Sequence, residues 1–269
     1  MSVVAAESLP ARYVAHTMGM PISLALRGRH TDDADARGAW AETMAALRDA
    51  DRVFSTYRHD SFVSRLGRGE VGLGECPPEV GDVLALGEQG RRQSGGAFDV
   101  RRGGALDPSG VVKGWAVDRA ALALRRLRDT DFCLSAGGDM ICHTSSGSGA
   151  PWWVGIEHPS RPDRLVARVP VWNGAVATSG RAHRGDHVVD ARSGSAPTGV
   201  ASVTVVGDDL TWVDIEATAA FAQGPEALHW LESRAGRTGV VVMEDGRVAT
   251  FGQRRGSDPR RLVGTGAAG

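Results

Sequence analysis

Asp214 and Thr218 stand four residues apart in Leu210 to Ala222, a segment whose composition predicts a helix, so their oxygens fall on one helix face. Taken alone, such a pair is an ordinary solvated couple. A second polar group lies between Ala175 and Gly194. There a short apolar strand, Ala175 to Ala177, breaks into Thr178-Ser179-Gly180, a polar loop follows, and His187-Val188-Val189-Asp190 runs into a Ser193-Gly194 turn. Histidine has an ordinary pKa suited to proton transfer near neutrality, and loops held on a rigid scaffold are where such chemistry is usually placed. His187 is the first candidate base, and His183 in the same loop is the second. Ser179 is not read as a nucleophile, because no G-x-S-x-G elbow surrounds it. Asp190 reads as an Asx turn. A third group, Asp107 to Lys113, leads into a predicted helix whose N–H groups and positive dipole end, with the Lys113 ammonium, suit a pyrophosphate. It is not a Walker loop, since the G-x-x-x-x-G-K spacing is absent.

The elements that must position these groups are legible in outline. Tyr13 to Thr17 and Ile22 to Leu26 read as strands around Met18-Gly19-Met20-Pro21. Ala36, Trp40, Met44, Leu47 and Phe54 recur at helical spacing within Asp32 to Phe54. A helix from Pro78 to Gln93 ends on Gly95-Gly96-Ala97-Phe98-Asp99, where glycine permits left-handed backbone and close approach by a ligand. Further helices are expected from Trp115 to Arg128, at Leu210 to Ala222, and from Gly224-Pro225 to Ala235. Further strands are expected at Asp131 to Ser135, Trp152 to Ile156, Arg164 to Val171, Ala201 to Val206, Gly239 to Met243 and Arg247 to Phe251. Gly137-Gly138-Asp139 reads as a structural turn or bulge. The residues from Gly252 onward are basic and glycine-rich, and a mobile tail is expected there.

The chain has 269 residues, is 42% hydrophobic and 23% charged, and carries a formal net charge of -1, which is ordinary for a globular protein and gives no broad basic footprint for nucleic acid. Neither a signal-peptide pattern nor an apolar run of about 18 residues is present, so a cytoplasmic protein without a membrane span is expected. Cys76, Cys133 and Cys142 lack metal-ligand spacing and read as buried thiols.

Ala177-Thr178-Ser179-Gly180 followed by His187-Val188-Val189-Asp190-Ala191-Arg192-Ser193-Gly194 resembles the "ATSG … HIIDPxTG" signature of the ApbE family of FAD:protein FMN transferases. In the family's order the chain also carries Met18-Gly19, Ser55-Thr56-Tyr57, Gly96-Ala97-Phe98-Asp99, Leu106-Asp107 to Lys113-Gly114, Gly137-Gly138-Asp139, and Val213-Asp214 to Thr218. The resemblance implies that the chain uses magnesium to move the FMN half of FAD onto a threonine or serine hydroxyl of an acceptor protein, releasing AMP. The acceptor would carry a D-x-x-S/T-G-A/S-S/T motif.

The resemblance also implies a site. His187 would be the base. Met18, Tyr57, Ala97, Phe98, Asp99, Asp107, Lys113, Thr178 and Val189 would contact FAD. The Gly110 carbonyl, Asp214 and Thr218 would hold Mg²⁺, a sparse hard-oxygen set that suits magnesium better than zinc or calcium. Two departures stand out: Leu66-Gly67 where the family commonly reaches an asparagine, and Ala217 where some members carry a second acid. The alternatives are an Mg²⁺-dependent FAD pyrophosphatase giving FMN and AMP, and a non-catalytic FAD-binding module. The expected fold is α+β, a two-lobed, T-fold-like single domain with a mainly antiparallel sheet flanked by helices.

Overall fold

Apolar residues recur at every second position along the strands, and that period decides what covers each face of the sheet. The computed structural model describes residues 10–145, 149–181 and 188–252. In chain order its strands are β1 (Ala11–Thr17), β2 (Met20–Gly28), β3 (Arg101–Arg102), β4 (Ala105–Leu106), β5 (Thr130–Ala136), β6 (Asp139–His143), β7 (Trp152–His158), β8 (Arg161–Val171), β9 (Gly174–Gly180), β10 (Val200–Gly207), β11 (Thr238–Met243) and β12 (Val248–Phe251). The helices are α1 (Ala34–Phe54), α2 (Phe62–Gly67), α3 (Pro78–Gln93), α4 (Ser109–Leu124), α5 (Leu210–Gln223) and α6 (Ala227–Glu232). Eight strands form one sheet in the order β1-β2-β5-β6-β9-β10-β11-β12, antiparallel at every step. The expected α+β arrangement is what the chain adopts.

On one face, Leu24, Leu134, Ile141, Ala177 and Val241 pack with the helices in the larger core. Each fully buried side chain of Leu or Ile size stabilises the fold by about 1.5–3 kcal/mol. On the other face Val176, Val240 and Val242 meet Val154, Ile156 and Val169 of the β7–β8 hairpin, which forms a separate two-stranded sheet. Alternation alone therefore sends Val241 to the helices and its neighbours Val240 and Val242 to the hairpin.

Helix α5 is buried on nearly all sides, because it contacts α4 as well as β9 and β10. Its start is held by Asp118 of α4, which accepts from Leu210 N (3.1 Å), Thr211 N (2.7 Å) and Thr211 Oγ1 (2.6 Å), and by its own cap Asp209. A Cβ on Gly114 would lie 2.6 Å from Leu210 O, so glycine there lets the two helix backbones touch.

Several boundaries differ from the sequence reading; β8, for one, starts at Arg161 rather than Arg164. Helix α4 begins at Ser109 rather than near Trp115, because Gly110 and Gly114 serve close packing within a helix and do not mark a loop. Strand β9 does not break after Ala177: Thr178, Ser179 and Gly180 pair with Thr204, Val203 and Ser202 of β10. Helix α6 stops at Glu232, after a 3-10 turn at Gly224–Glu226. The expected tail beyond Gly252 lies outside the described residues.

Candidate active site

The first turn of α4, the middle of α5, the neighbouring parts of β6 and β9, the segment Ala97 to Asp99 and the tip of the β7–β8 hairpin enclose a cleft of about 490 Å³. Its most buried polar side chains are Asp139, 1% exposed, and Asp214, 2% exposed. Asp139 opens β6 directly after Gly137 and Gly138, whose φ values of 59° and 99° favour glycine. Its Oδ1 accepts from Thr178 N at 3.0 Å, and its Oδ2 is ion-paired with Lys113 Nζ. Asp214 projects from α5, where its Oδ2 accepts from Gly114 N at 3.1 Å and its Oδ1 lies 3.1 Å from Lys113 Nζ.

One ammonium thus serves two buried carboxylates. Burial alone would lower the Lys113 pKa, but the charges of Asp214 and Asp139 override it and hold the ammonium above the ordinary lysine range. Burial pushes Asp214 up to about 7; Lys113 opposes that rise, while Asp139 adds to it. The two shifts are compatible, because Lys113 is attracted by two carboxylates whereas Asp214 shares that one ammonium with Asp139.

The remaining site residues are placed by short links. Phe98 N donates to Ser94 Oγ at 3.0 Å, and Ala191 N donates to Ala97 O at 3.1 Å, which staples the segment carrying Val188 and Val189 to the cleft wall. Asp107 Oδ1 accepts from Ser109 N at 3.1 Å, and its other oxygen lies 3.5 Å from Arg102. A Cβ on Gly110 would approach Phe98 Cε2 to 2.9 Å, so a side chain there would require the Phe98 ring to move. Thr218 Oγ1 and Ser179 Oγ are 3.1 Å apart, and Thr178 Oγ1 is 2.9 Å from Thr204 Oγ1. Asp190 makes the expected Asx turn, accepting from Arg192 N at 2.9 Å.

Of the residues singled out in the sequence, Ala97, Phe98, Asp99, Asp107, Gly110, Lys113, Thr178, Val189, Asp214 and Thr218 all line this one cleft. Met18 and Tyr57 do not. Met18 sits in the β1–β2 turn with φ 54°, packed on the core, and Tyr57 is 99% exposed on the turn after α1. His187 and His183 lie outside the described residues. Two features escape the sequence reading. Asp139 reads in sequence as part of a structural turn, although two glycines before an acid also mark a place where backbone yields to a ligand. The hairpin tip from Glu157 to Ser160 carries no sequence signal of reaching the cleft.

A hard cation fits the donors present. The Asp214 carboxylate, the Thr218 hydroxyl and Gly110 all line the cleft. Ala217 is fully buried in the core and offers nothing to that set. Among the described residues a His30, Asp33 and Asp35 group also brings ligand atoms together, but it lies apart from the cleft, with Asp33 capping α1.

The sequence profile of the ApbE family matches residues 18–105 and 100–242. The FAD:protein FMN transferase of Klebsiella pneumoniae is 26% identical over 151 residues, 52% of this chain and 43% of that protein. The FAD:protein FMN transferase of Rhodobacter capsulatus is 29% identical over 209 residues, 74% of this chain and 37% of that protein. The matched regions thus span less than half the length of these relatives. The crystal structure of the ApbE protein from Thermotoga maritima superposes with a TM-score of 0.78 at 20% identity, covering 90% of this chain and 97% of that one. The apo flavinyl transferase ApbE of Pseudomonas stutzeri gives a TM-score of 0.75 at 22% identity, covering 90% and 94%. These two likenesses show the fold.

Proposed function

The chain belongs to the ApbE family, and from that membership we propose that it transfers the FMN half of FAD to a threonine or serine hydroxyl of an acceptor protein, releasing AMP. The observation that carries this reading is the cluster of Lys113, Asp139 and Asp214 beside the first turn of α4. It sets an ammonium, which suits a diphosphate, beside a carboxylate and hydroxyl suited to a divalent cation.

In this reading Ala97, Phe98, Asp99, Asp107, Thr178 and Val189 wall the space in which FAD lies, and Lys113 faces its phosphates. Met18 and Tyr57, which do not line the cleft, are left out of the site. The Gly110 carbonyl, Asp214 and Thr218 hold Mg²⁺. Bound magnesium supplies charge neutralisation at the phosphoryl oxygens and at the departing AMP. His187 directly precedes Val188 and Val189, both at the cleft wall, and takes the proton of the acceptor hydroxyl. The hydroxyl oxygen bonds to the FMN-side phosphorus, the bond from that phosphorus to the bridging oxygen breaks, and AMP leaves with the bridging oxygen. The family motif D-x-x-S/T-G-A/S-S/T defines the acceptor segment expected.

Incubating the chain with FAD, Mg²⁺ and such an acceptor should give an acceptor band that stays fluorescent in a denaturing gel, with one AMP per flavin attached. His187→Ala should slow labelling by about 10² to 10⁴-fold while FAD binding persists. FMN and AMP with an unlabelled acceptor would mean that water is the true acceptor. Bound FAD with neither product would leave a binding module.

A further inference from the structure

Lys113 stands where a cation on Asp214 would stand. Its ammonium is 3.1 Å from Asp214 Oδ1 and is also paired with Asp139 Oδ2. Asp139 is not free to follow the lysine, because Thr178 N of the neighbouring strand holds its other oxygen at 3.0 Å and the Gly137-Gly138 turn fixes its backbone. Asp214 is anchored likewise, by Gly114 N on its Oδ2. The movable member of the trio is therefore the lysine, on a four-carbon stem between two fixed carboxylates.

We propose that Asp139 is a positioning residue that gives the Lys113 ammonium a second anion to rest on, so that Asp214 can exchange the lysine for a divalent cation. The proposal rests on the reading of Asp214 as a cation ligand and adds a role for an acid outside that ligand set.

Two cations compete for one acid. An ammonium and a divalent cation both seek the Asp214 carboxylate in a poorly solvated place, where opposite charges attract strongly and like charges repel strongly. If Asp214 were the only acid within reach, a cation binding there would strand the ammonium beside a like charge and without a partner. That is a costly arrangement for a buried charge. With Asp139 on its other side, the ammonium keeps one ion pair when Asp214 is taken. It also stays in the cleft, where a phosphate oxygen would sit.

The test measures Mn²⁺ binding in the absence of FAD, by titration calorimetry, in the full chain and in Lys113→Gln, Asp139→Asn and the double variant. Lys113→Gln should bind Mn²⁺ at least about tenfold more tightly, because the competitor is gone. Asp139→Asn should weaken binding by about tenfold or more when Lys113 is present, and by distinctly less when combined with Lys113→Gln, where no ammonium needs a second anion. A residue that merely supported the local fold would weaken both backgrounds equally, and that result would overturn the proposal. So would unchanged affinity in Lys113→Gln, a result that does not depend on whether the Asp139 variant folds. Asp214→Asn separates the two readings. If Mn²⁺ binds the parent and Asp214→Asn abolishes it while the cycle shows no coupling, Asp139 loses its role and the cation site stands. If Mn²⁺ binds none of the chains, both fail.

Discussion

Asp214 is a carboxylate where a hydrophobic residue would be unremarkable: it lies in a helix buried on nearly every side and is itself 2% exposed. Its burial has a consequence for stability. An acid whose pKa rises on folding holds its proton more tightly in the native chain. The stability it contributes is therefore full below about pH 4 and is lost as pH climbs through about 7. In metal-free buffer, Asp214→Asn should gain on the parent as pH rises across that window, by at most about 1.4 kcal/mol per pH unit. Urea denaturation of both chains at several pH values measures this, and a difference that stays flat with pH would show that Asp214 is not the strained acid described here. At this scale the sequence is informative where a residue type has one job and poor where it has several. Asp214 and Thr218 are found through their spacing on a helix and their match to the family motif. Asp139 escapes because an acid after two glycines is equally a turn, and its contact with Lys113 joins residues that neither spacing nor periodicity connects.

Elements position these side chains, and the contact between α4 and α5 matters most. Gly114 lets the backbones meet, its N–H reaches Asp214, and Asp118 one turn later holds the start of α5. In Gly114→Ala the new methyl meets backbone atoms of Leu210 and Thr211, so no side chain can turn away to make room. The substitution should cost about 1–3 kcal/mol and lower the affinity for FAD and Mn²⁺ together. Thermal unfolding and calorimetry check this, and an unchanged Tm would contradict the packing described. The same glycine explains why α4 looks, in sequence, to start six residues late. Pro108, Gly110 and Gly114 carry the composition of a loop, and only the partner helix shows why two glycines belong inside a helix. By contrast, Pro78 to Gln93 is legible at both ends, since proline suits a first turn and Val80, Val83 and Gly87 mark one buried face. Strand β9 misleads in the opposite sense. Thr178-Ser179-Gly180 looks like a turn by composition, yet β10 supplies partners that keep it extended.

For the molecule as a whole, one sheet separates two coverings, helices on one side and a long hairpin on the other, and the cleft opens where the hairpin tip reaches past the sheet toward α4 and α5. The α+β class and the antiparallel sheet are readable from short strands without regular helix alternation. The hairpin's reach is not, because its separate pairing leaves no trace in alternation of hydrophobic residues. No helix among the described residues is long and apolar enough to cross a membrane. The proposed reaction depends on cation and diphosphate meeting at Lys113 and Asp214, and crystals grown with FAD and Mn²⁺ test that most directly through the anomalous signal of manganese. The predicted result is a peak within coordination distance of Asp214, Thr218 and the Gly110 carbonyl, with the pyrophosphate beside it. A peak confined to His30, Asp33 and Asp35, with the cleft empty of both metal and nucleotide, would contradict it.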